Sequence, residues 1–459
     1  MRWGSSNLLE AIAEFLHIYG HPRIVAVLML GFSSGLPLAL TFGTLSLWLS
    51  EAGVSKTSIG LFALTGVPYT FKFLWSPLVD RMPVPWLTDI LGRRRSWALL
   101  TQLFLMLSIA AMGFTHPGEV PWWTAVFALT TAFWSATQDI VIDAYRVEIL
   151  EEEQYGAGAA VVVLGYRLGM LTSGALALYL ATWFGWTMTY LIMAGLMSVG
   201  MVTILLTPEP EVPISGASIR LEKRMRARIA GIHGLNDRGR RVVLWISAAV
   251  VGPFAEFMSR KGWVQVLLFI LLYKLGDALT GVMGNPFYTE LGFSRIEIAE
   301  ISKVVGLTAT IVGAFFGGWV VQRLGIMKAL LVCGVLQLLS NLTFVVLARS
   351  GHDMAVFAAT VLIEHLAGGM GTAAFVAYLS SLCNIAYTAT QYALLSSFMA
   401  FARTVLSSAG GWMADHMTWE WYFWATSLAG LPGLLLLLWM MKRFPAGDEV
   451  PQAVEDAEL

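Results

Sequence analysis

Ionisable side chains that interrupt long apolar segments are the residues in this sequence whose chemistry needs an explanation. Asp139, Asp143 and Arg146 follow one another at intervals of four and three residues near the end of one apolar segment, so they share one face of a helix. Arg167 lies in the middle of the next apolar segment. Because a charge at the centre of a bilayer costs about 2.5 to 3.5 kcal/mol, such residues face a protein interior or a watery cavity rather than lipid.

The composition indicates that these apolar segments span a membrane. Of 459 residues, 57% are hydrophobic and 13% are charged, a balance typical of a polytopic membrane protein. The net charge of -1 gives no indication of a nucleic-acid partner. Cys333 and Cys383 lie within apolar segments, so we expect neither a disulfide nor a metal site from them.

Segments of about 20 apolar residues are long enough to cross a bilayer as helices, and twelve can be placed in this sequence. The predicted spans 1 to 12 are 24–49, 58–79, 97–115, 122–146, 157–181, 187–206, 264–289, 297–321, 328–348, 354–383, 391–413 and 420–441. They predict an all-α membrane protein with two six-helix bundles, 23–206 and 263–443. Residues 1–22 form a predicted amphipathic helix on the membrane surface.

A basic linker, 207–262, separates the two predicted bundles, and an acidic tail, 444–459, follows the second. The linker contains a short apolar run, 242–257, which Pro253 and Glu256 interrupt, so we predict an interfacial helix there. The predicted cytoplasmic segments contain 21 Lys and Arg residues and the outer loops contain three. This bias predicts that both termini lie in the cytoplasm.

The two halves of the sequence resemble each other. SEAGVSKTSIG (50–60) matches TELGFSRIEIA (289–299), and Arg167 pairs with Arg403 at a similar offset. A parallel repeat of this kind is that of the major facilitator fold. Asp139 and Asp143 have no acidic counterpart, because they align near Thr372 and Val376. We therefore expect the arginines to belong to a symmetric clamp and the two aspartates to be the asymmetric part of the machinery.

The loop between predicted spans 2 and 3 resembles the signature of this superfamily, Asp-Arg followed by Gly-Arg-Lys. Here the two parts are Asp80-Arg81 and Gly92-Arg93-Arg94-Arg95, with about ten additional residues between them. The signature latches the two bundles on the cytoplasmic side in that superfamily. The resemblance implies a gating role for Asp80, Arg81, Arg93, Arg94 and Arg95. Alternatively, a basic loop does no more than set topology.

The interiors of predicted spans 3, 6, 9 and 12 carry no ionisable residues, and these are the outer helices of the major facilitator fold. The remaining spans surround its cavity. Counting 1.5 Å per residue places Lys72 about 12 Å and Asp139 about 10 Å from the cytoplasmic ends of their helices, at a similar depth. The ionisable residues within spans are Lys72, Asp139, Asp143, Arg167, Lys274, Asp277, Glu300, Lys303, Glu364, His365 and Arg403.

These residues predict a cavity for an anionic ligand, because cations outnumber what neutral ion pairs need near the midplane. The cations that we expect to bind carboxylates are Lys72, Arg167, Lys274 and Arg403. The groups that we expect to form hydrogen bonds or an apolar stacking face with the ligand are Tyr69, Gln138, Tyr166, Asn384, Gln391 and Trp134. The carboxyl groups that are candidates for proton coupling are Asp139, Asp143, Asp277 and Glu364. In the alternative interpretation, the charged pairs are structural and bind nothing.

Longer stretches resemble the AmpG-type muropeptide permeases of Gram-negative inner membranes. Among them are YTFKFLWSPLVDR (69–81), ATQDIVIDAYR (136–146), GAGAAVVVLGYRLGML (156–171) and LLYKLGDAL (271–279). The resemblance implies import of N-acetylglucosaminyl-1,6-anhydro-N-acetylmuramyl peptides for peptidoglycan recycling, with an indirect role in β-lactamase induction. It also implies that the proton gradient is the energy source. The sequence departs from some members of the family, which carry two further C-terminal helices.

Two other functions are weighed against this interpretation. The first is a major facilitator carrier of another large anion, such as acyl-coenzyme A. The second is a membrane assembly factor or enzyme on the same fold, but only His365 of seven histidines lies within a predicted span and no metal-ligand spacing occurs. We therefore expect no catalytic residues, no metal, no cofactor and no nucleic-acid partner, and we expect a monomer in the lipid bilayer.

Overall fold

The computed structural model describes residues 18–54, 62–210, 252–384 and 387–443, and these residues form helices and no strand. They group into two compact units. Unit 1 comprises the described residues within Met1–Lys72 and Met82–Glu211, and unit 2 comprises those within Phe73–Arg81 and Val212–Leu459. The short segment Phe73–Arg81 therefore belongs to unit 2, although it lies in the first half of the sequence.

The helices of the first half begin with two that a break at Phe42 separates. In chain order they are α1 Pro22–Thr41, α2 Gly43–Glu51, α3 Val67–Phe71, α4 Ser76–Arg81, α5 Leu87–Leu91, α6 Arg93–Gly113, α7 Pro121–Ile149, α8 Tyr155–Leu171, α9 Ala177–Leu196 and α10 Ser198–Leu206. All of these except α4 lie in unit 1.

The helices of the second half all lie in unit 2. They are α11 Gly252–Ser259, α12 Trp263–Tyr273, α13 Leu275–Glu290, α14 Arg295–Ile298, α15 Gly306–Leu324, α16 Ile326–Ser350, α17 Met354–Ser381, α18 Thr388–His416, α19 Trp419–Ala429 and α20 Leu431–Arg443. The predicted interfacial helix at 242–257 lies largely outside the described residues, as do the predicted N-terminal amphipathic helix and the acidic tail.

Nine helical stretches among the described residues are long and apolar enough to cross a membrane. One of them, Glu152–Leu206, contains predicted spans 5 and 6 together. The chain turns within it at Gly185, whose φ of 76° lies in the left-handed region that glycine tolerates. Predicted span 11 is the 29-residue helix α18, which does not count among the nine.

Predicted span 2 is divided into short helical pieces in its described part. Within 62–81, the helices α3 and α4 alternate with the 3₁₀ turns Phe62–Gly66 and Lys72–Leu74. Pro68 and Pro77 occupy this region, and proline has no amide proton for the helical ladder. Lys72 is therefore presented from a tight turn between two helical pieces rather than from a continuous helix.

Glycines bring α1 and α8 into direct backbone contact in unit 1. A Cβ at Gly35 would overlap the carbonyl of Tyr166, and a Cβ at Gly165 would overlap the carbonyl of Leu28. Small residues permit such close approach between membrane helices, where packing supplies much of the association energy. In unit 2, Gly313 and Gly369 give the same contact between α15 and α17. Helix α1, which binds Asp139 through Ser34, and helix α8, which carries Tyr166, are thus fixed relative to each other.

Candidate functional site

The carboxylate of Asp143 stands between two cations in unit 1. Lys72 Nζ lies 3.9 Å from Asp143 Oδ2, and Arg146 Nη2 lies 3.5 Å from Asp143 Oδ1. The side chains of Lys72 and Arg146 are 9% and 1% exposed, whereas that of Asp143 is 23% exposed. Separations of this size are longer than hydrogen-bonded ion pairs. Both cations therefore attract Asp143, and neither forms a closed ion pair with it.

Asp139 lies one helical turn before Asp143 and is tied to α1. Its Oδ1 atom accepts a hydrogen bond from the hydroxyl of Ser34. The ammonium group of Lys72 and the carboxylate of Asp143 both act on it electrostatically. The structure thus brings the predicted residues Lys72, Asp139 and Asp143 together at one place, and Lys72 and Asp139 are the two that the depth count placed at a similar level.

Gln138 fastens the same turn of α7 to α1. Its Nε2 atom donates to the carbonyl of Ser33 at 3.0 Å, and its side chain is fully buried. Its Oε1 atom has no hydrogen-bond partner among the described residues. A buried polar atom that lacks a partner costs about 1 to 3 kcal/mol. The Oε1 atom of Gln138 is therefore a position where water or a ligand hydroxyl would be stabilising.

The other predicted residues of unit 1 lie farther from this turn of α7. Tyr166 is within electrostatic reach of Asp139 and Tyr69. Arg167 follows it on α8 and is half-buried. Trp134 stacks on Phe104, with ring centroids 4.5 Å apart and an interplanar angle of 9°. Phe104 therefore covers one face of the Trp134 indole ring, and Trp134 packs against the hydrophobic core of unit 1.

Unit 2 holds its own charged group where α12 gives way to α13. Lys274 Nζ lies 2.9 Å from Asp277 Oδ2 and 3.5 Å from Gln337 Oε1. Glu364 acts electrostatically on Asp277 and contacts Nδ1 of its neighbour His365 at 2.5 Å. The structure thus brings Lys274, Asp277 and Glu364 together. The side chain of Arg403 lies outside the part of the chain that the structure describes, as does that of Lys303.

Asn384 and Gln391 lie elsewhere in unit 2, against α11. The Nε2 atom of Gln391 donates to the carbonyl of Pro253 at 3.2 Å and to the carboxylate of Glu256. The backbone amide of Asn384 donates to Gln391 Oε1 at 2.7 Å. Protein partners thus occupy both ends of the Gln391 amide, so the structure places these two residues in a packed polar cluster.

Asp80 caps the first turn of α18. It accepts hydrogen bonds from the amides of Ala389 and Thr390 at 3.2 and 2.7 Å and from the Thr390 hydroxyl at 2.5 Å. The guanidinium carbon of Arg81 lies 5.4 Å from the ring centroid of Tyr387. A carboxylate at a helix N-terminus satisfies amides that have no partner within the helix and interacts favourably with the helix dipole.

The arginines that follow Gly92 bind within unit 1. Arg94 Nε and Nη2 bind the carboxylate of Glu148 at 2.9 and 2.6 Å. The amides of Arg94 and Arg95 donate to Glu209 at 2.8 and 3.0 Å, and Arg95 Nε donates to the carbonyl of Ile204 at 2.9 Å. Arg93 is half-buried in the same first turn of α6. These contacts join the start of α6 to the ends of α7 and α10.

Four residues to which the sequence interpretation assigned no binding or gating role belong to these arrangements. They are Ser34, Glu148, Glu209 and Glu256. The acidic ones lie at the ends of helices or in the linker, where an isolated Glu gives no periodic signal.

Comparison with known proteins agrees with this architecture. The profile of the Major Facilitator Superfamily matches residues 27–284 and 266–458. Solved structures with the same fold include the proton:xylose symporter XylE, with a TM-score of 0.61, 12% identity and coverage of 95% of this chain and 98% of that one. The Escherichia coli fucose:proton symporter FucP has a TM-score of 0.64 and 11% identity, with coverage of 91% and 99%.

Two curated relatives are much more similar in sequence. The anhydromuropeptide permease of Escherichia coli (strain K12) is 43% identical over 428 residues, which are 93% of this chain and 81% of the relative. The putative transporter AmpG 4 of Rickettsia felis is 36% identical over 430 residues, which are 93% and 98% of the two chains. The chain therefore belongs to the major facilitator superfamily and, within it, to the family of AmpG-type permeases.

Proposed function

We propose that this protein imports N-acetylglucosaminyl-1,6-anhydro-N-acetylmuramyl peptides across the bacterial inner membrane for peptidoglycan recycling, and thereby affects β-lactamase induction. The observation that carries the proposal is the 43% identity to a curated anhydromuropeptide permease over 81% of its length. The proposed ligand combines sugar hydroxyl groups with peptide carboxylates. The polar groups around Asp143 include cations and buried acceptors or donors of the kinds that such a ligand needs.

In unit 1, the cations supply the anion-binding part of the proposed site. Lys72 and Arg146 both lie within 4 Å of Asp143, so a ligand carboxylate competes with Asp143 for them. The Gln138 Oε1 atom is suited to a sugar hydroxyl, because it would gain the hydrogen bond that it lacks. The Tyr69 hydroxyl is the second proposed contact to the sugar. Arg167 is the proposed bidentate carboxylate ligand on α8. Lys274 is the corresponding cation in unit 2.

Proton coupling is assigned to the carboxyl groups next to these cations. Lys72 attracts both Asp139 and Asp143, so a proton on either aspartate weakens its hold on the ammonium group and leaves Lys72 available to the ligand. Substrate binding and protonation then favour each other, as linkage requires. Asp277 and Glu364 form the second carboxyl set, beside Lys274. The proton gradient is the proposed energy source, with no metal or organic cofactor.

The cap that Asp80 places on α18 is the proposed gate. Asp80 is 2% exposed, and breaking its three hydrogen bonds exposes the amides of the first turn of α18. Such a contact has two discrete states, bound and broken, as a gate requires. Two groups of arginines support the chain around the proposed gate. Arg81 contacts the ring of Tyr387, and Arg93 to Arg95 lie at the start of α6. We propose that the protein works as a monomer with both termini in the cytoplasm.

Uptake by reconstituted vesicles tests the function. Vesicles that contain the full chain are given radiolabelled anhydro-disaccharide tetrapeptide and an inward proton gradient. We expect accumulation above the external concentration, with collapse on addition of a protonophore. Unlabelled muropeptide should compete, whereas acyl-coenzyme A should not. Accumulation that a protonophore leaves intact contradicts proton coupling, and competition by acyl-coenzyme A alone contradicts the proposed substrate.

A further inference from the structure

A bidentate ion pair joins Glu256 of α11 to Arg260, the first residue after that helix. Arg260 binds Glu256 through three contacts of 3.0, 2.8 and 2.8 Å, and the two side chains are 11% and 10% exposed. The guanidinium group also lies 5.5 Å from the ring centroid of Phe257. An Arg–carboxylate pair with this geometry and so little exposure is stronger and more directional than an exposed pair.

Both members of the pair also bind the chain between α17 and α18. Arg260 Nη1 donates to the carbonyl of Leu382 at 2.5 Å. Glu256 accepts hydrogen bonds from Asn384 Nδ2 at 3.4 Å and from Gln391 Nε2. The pair thus reaches the end of α17 and the start of α18 at once. It fixes the spacing between them.

The first turn of α18 carries the Asp80 cap as well. Asp80 binds the amides of Ala389 and Thr390, and the next residue, Gln391, binds Glu256 and Pro253 through its side chain. Two independent groups therefore hold three consecutive residues of one helix start. All of these contacts lie within unit 2.

We propose that Glu256 and Arg260 are positioning residues for the gate, forming a clasp that holds the start of α18 where its amides can bind Asp80. Amides bind a carboxylate well only when their directions converge on it, and the frayed end of a helix does not keep them convergent. Release of the clasp therefore weakens the Asp80 cap without touching Asp80. This inference rests on the gating role proposed for Asp80.

The chain offers a native reporter for the clasp. Cys383 lies between Leu382, which accepts from Arg260, and Asn384, which donates to Glu256, and its side chain is half-buried. Cys333 is fully buried. In a Cys333→Ala background, the rate at which a membrane-impermeant maleimide labels Cys383 in purified, reconstituted protein reports opening at this place. No substrate is needed.

We expect Glu256→Ala to raise the labelling rate of Cys383 by at least about tenfold, because removal of one partner of a largely buried pair is strongly destabilising. Glu256→Gln, which keeps the size of the side chain, is the second variant and should act in the same direction. The matched control is Glu420→Ala, which breaks the exposed Arg349–Glu420 pair of the same unit and should leave labelling unchanged. An unchanged rate in both Glu256 variants overturns the clasp.

Combination with Asp80→Asn separates positioning from simple fastening. If the clasp acts through the cap, Asp80→Asn should raise labelling in the wild-type background and add little once Glu256 is replaced. Fully multiplicative effects of the two substitutions overturn the positioning role. Uptake assays on the same variants test the transport proposal separately, so failure to transport muropeptide leaves the labelling result on the clasp intact.

Discussion

Arg94 and Glu148 form a bidentate ion pair with side-chain exposures of 1% and 0%, at the place where α6 begins and α7 ends. Arg94 belongs to the motif that the sequence associates with gating. In the structure its guanidinium group binds within unit 1, and Glu209 binds the amides on either side of it. The part of the motif after Gly92 is therefore bound by two carboxylates of unit 1, those of Glu148 and Glu209.

Removal of one member of this pair should destabilise the folded protein. Glu148→Ala leaves the guanidinium group of Arg94 buried without this carboxylate, at a cost of about 3 to 5 kcal/mol. We expect a marked fall in the apparent Tm of the purified protein in detergent. Glu420→Ala, which breaks an exposed ion pair, should cost no more than about 1 kcal/mol. Equal Tm values for the two variants would contradict the structural role of Glu148.

Replacement of Asp139 should separate accumulation from exchange. Asp139→Asn keeps an acceptor for the Ser34 hydroxyl but cannot carry a proton, so uphill uptake should fall to that of empty vesicles. Exchange of labelled for unlabelled substrate at equal concentrations needs no net proton movement and should survive. Glu119→Gln, at an exposed position, is the control. Normal uptake by Asp139→Asn, with correct insertion, would reduce this residue to packing.

Replacement of Arg167 should act on binding. Charge-assisted hydrogen bonds contribute about 1.5 to 3 kcal/mol, so Arg167→Ala should abolish uptake at low substrate concentration and raise KM at least about tenfold. Arg167→Lys should restore part of the affinity, because a point charge replaces a bidentate donor. Membrane insertion, measured by fluorescence-detected gel filtration, should not change. An unaltered KM in Arg167→Ala would exclude this arginine from the site.

The sequence predicted contacts within a helix and between helices of equal depth. Lys274 and Asp277 are three residues apart, so helical spacing alone places them near each other, and the structure has them 2.9 Å apart. The depth count predicted that Lys72 and Asp139 lie at a similar level. Such predictions succeed because helical geometry alone sets the distances. The lengths of the apolar segments likewise predicted most of the helices. Predicted span 2 differs, because its described part is divided into two short helices and two 3₁₀ turns.

Partners that are distant in the sequence were not predictable. Glu148 lies 54 residues from Arg94, and Glu256 lies 135 residues from Gln391, so only the tertiary fold brings them together. The sequence therefore predicts Gln391 and Asn384 as ligand-binding candidates, whereas the structure places them against α11. The cap that Asp80 forms on α18 is another contact between residues distant in the sequence. The motif predicted a role for Asp80, but it did not predict its partner Thr390.

The gate can be tested by comparing two changes at Asp80. Asp80→Asn keeps an oxygen that can accept hydrogen bonds but loses the charge, and Asp80→Ala loses both. An N-terminal cap contributes about 0.5 to 2 kcal/mol, so we expect uptake to fall in the order wild type, Asn, Ala, with a several-fold step at each change. The reverse order, or equal rates for all three proteins, would contradict the gate. Glu300→Ala, an exposed acidic residue, is the control.

The contact between α1 and α8 gives a test of the framework beneath the site. A Cβ at Gly165 would overlap the backbone of Leu28 and lie close to that of Phe32, whereas a Cβ at Gly195 has open space around it. Gly165→Ala should therefore push the helices apart and cost about 1 to 3 kcal/mol. Gly195→Ala should be neutral or slightly stabilising, because alanine favours the helix. The thermal unfolding of the two variants in detergent measures this difference. Because Ser34 of α1 also binds Asp139, uptake by Gly165→Ala should fall even at temperatures where the protein remains folded.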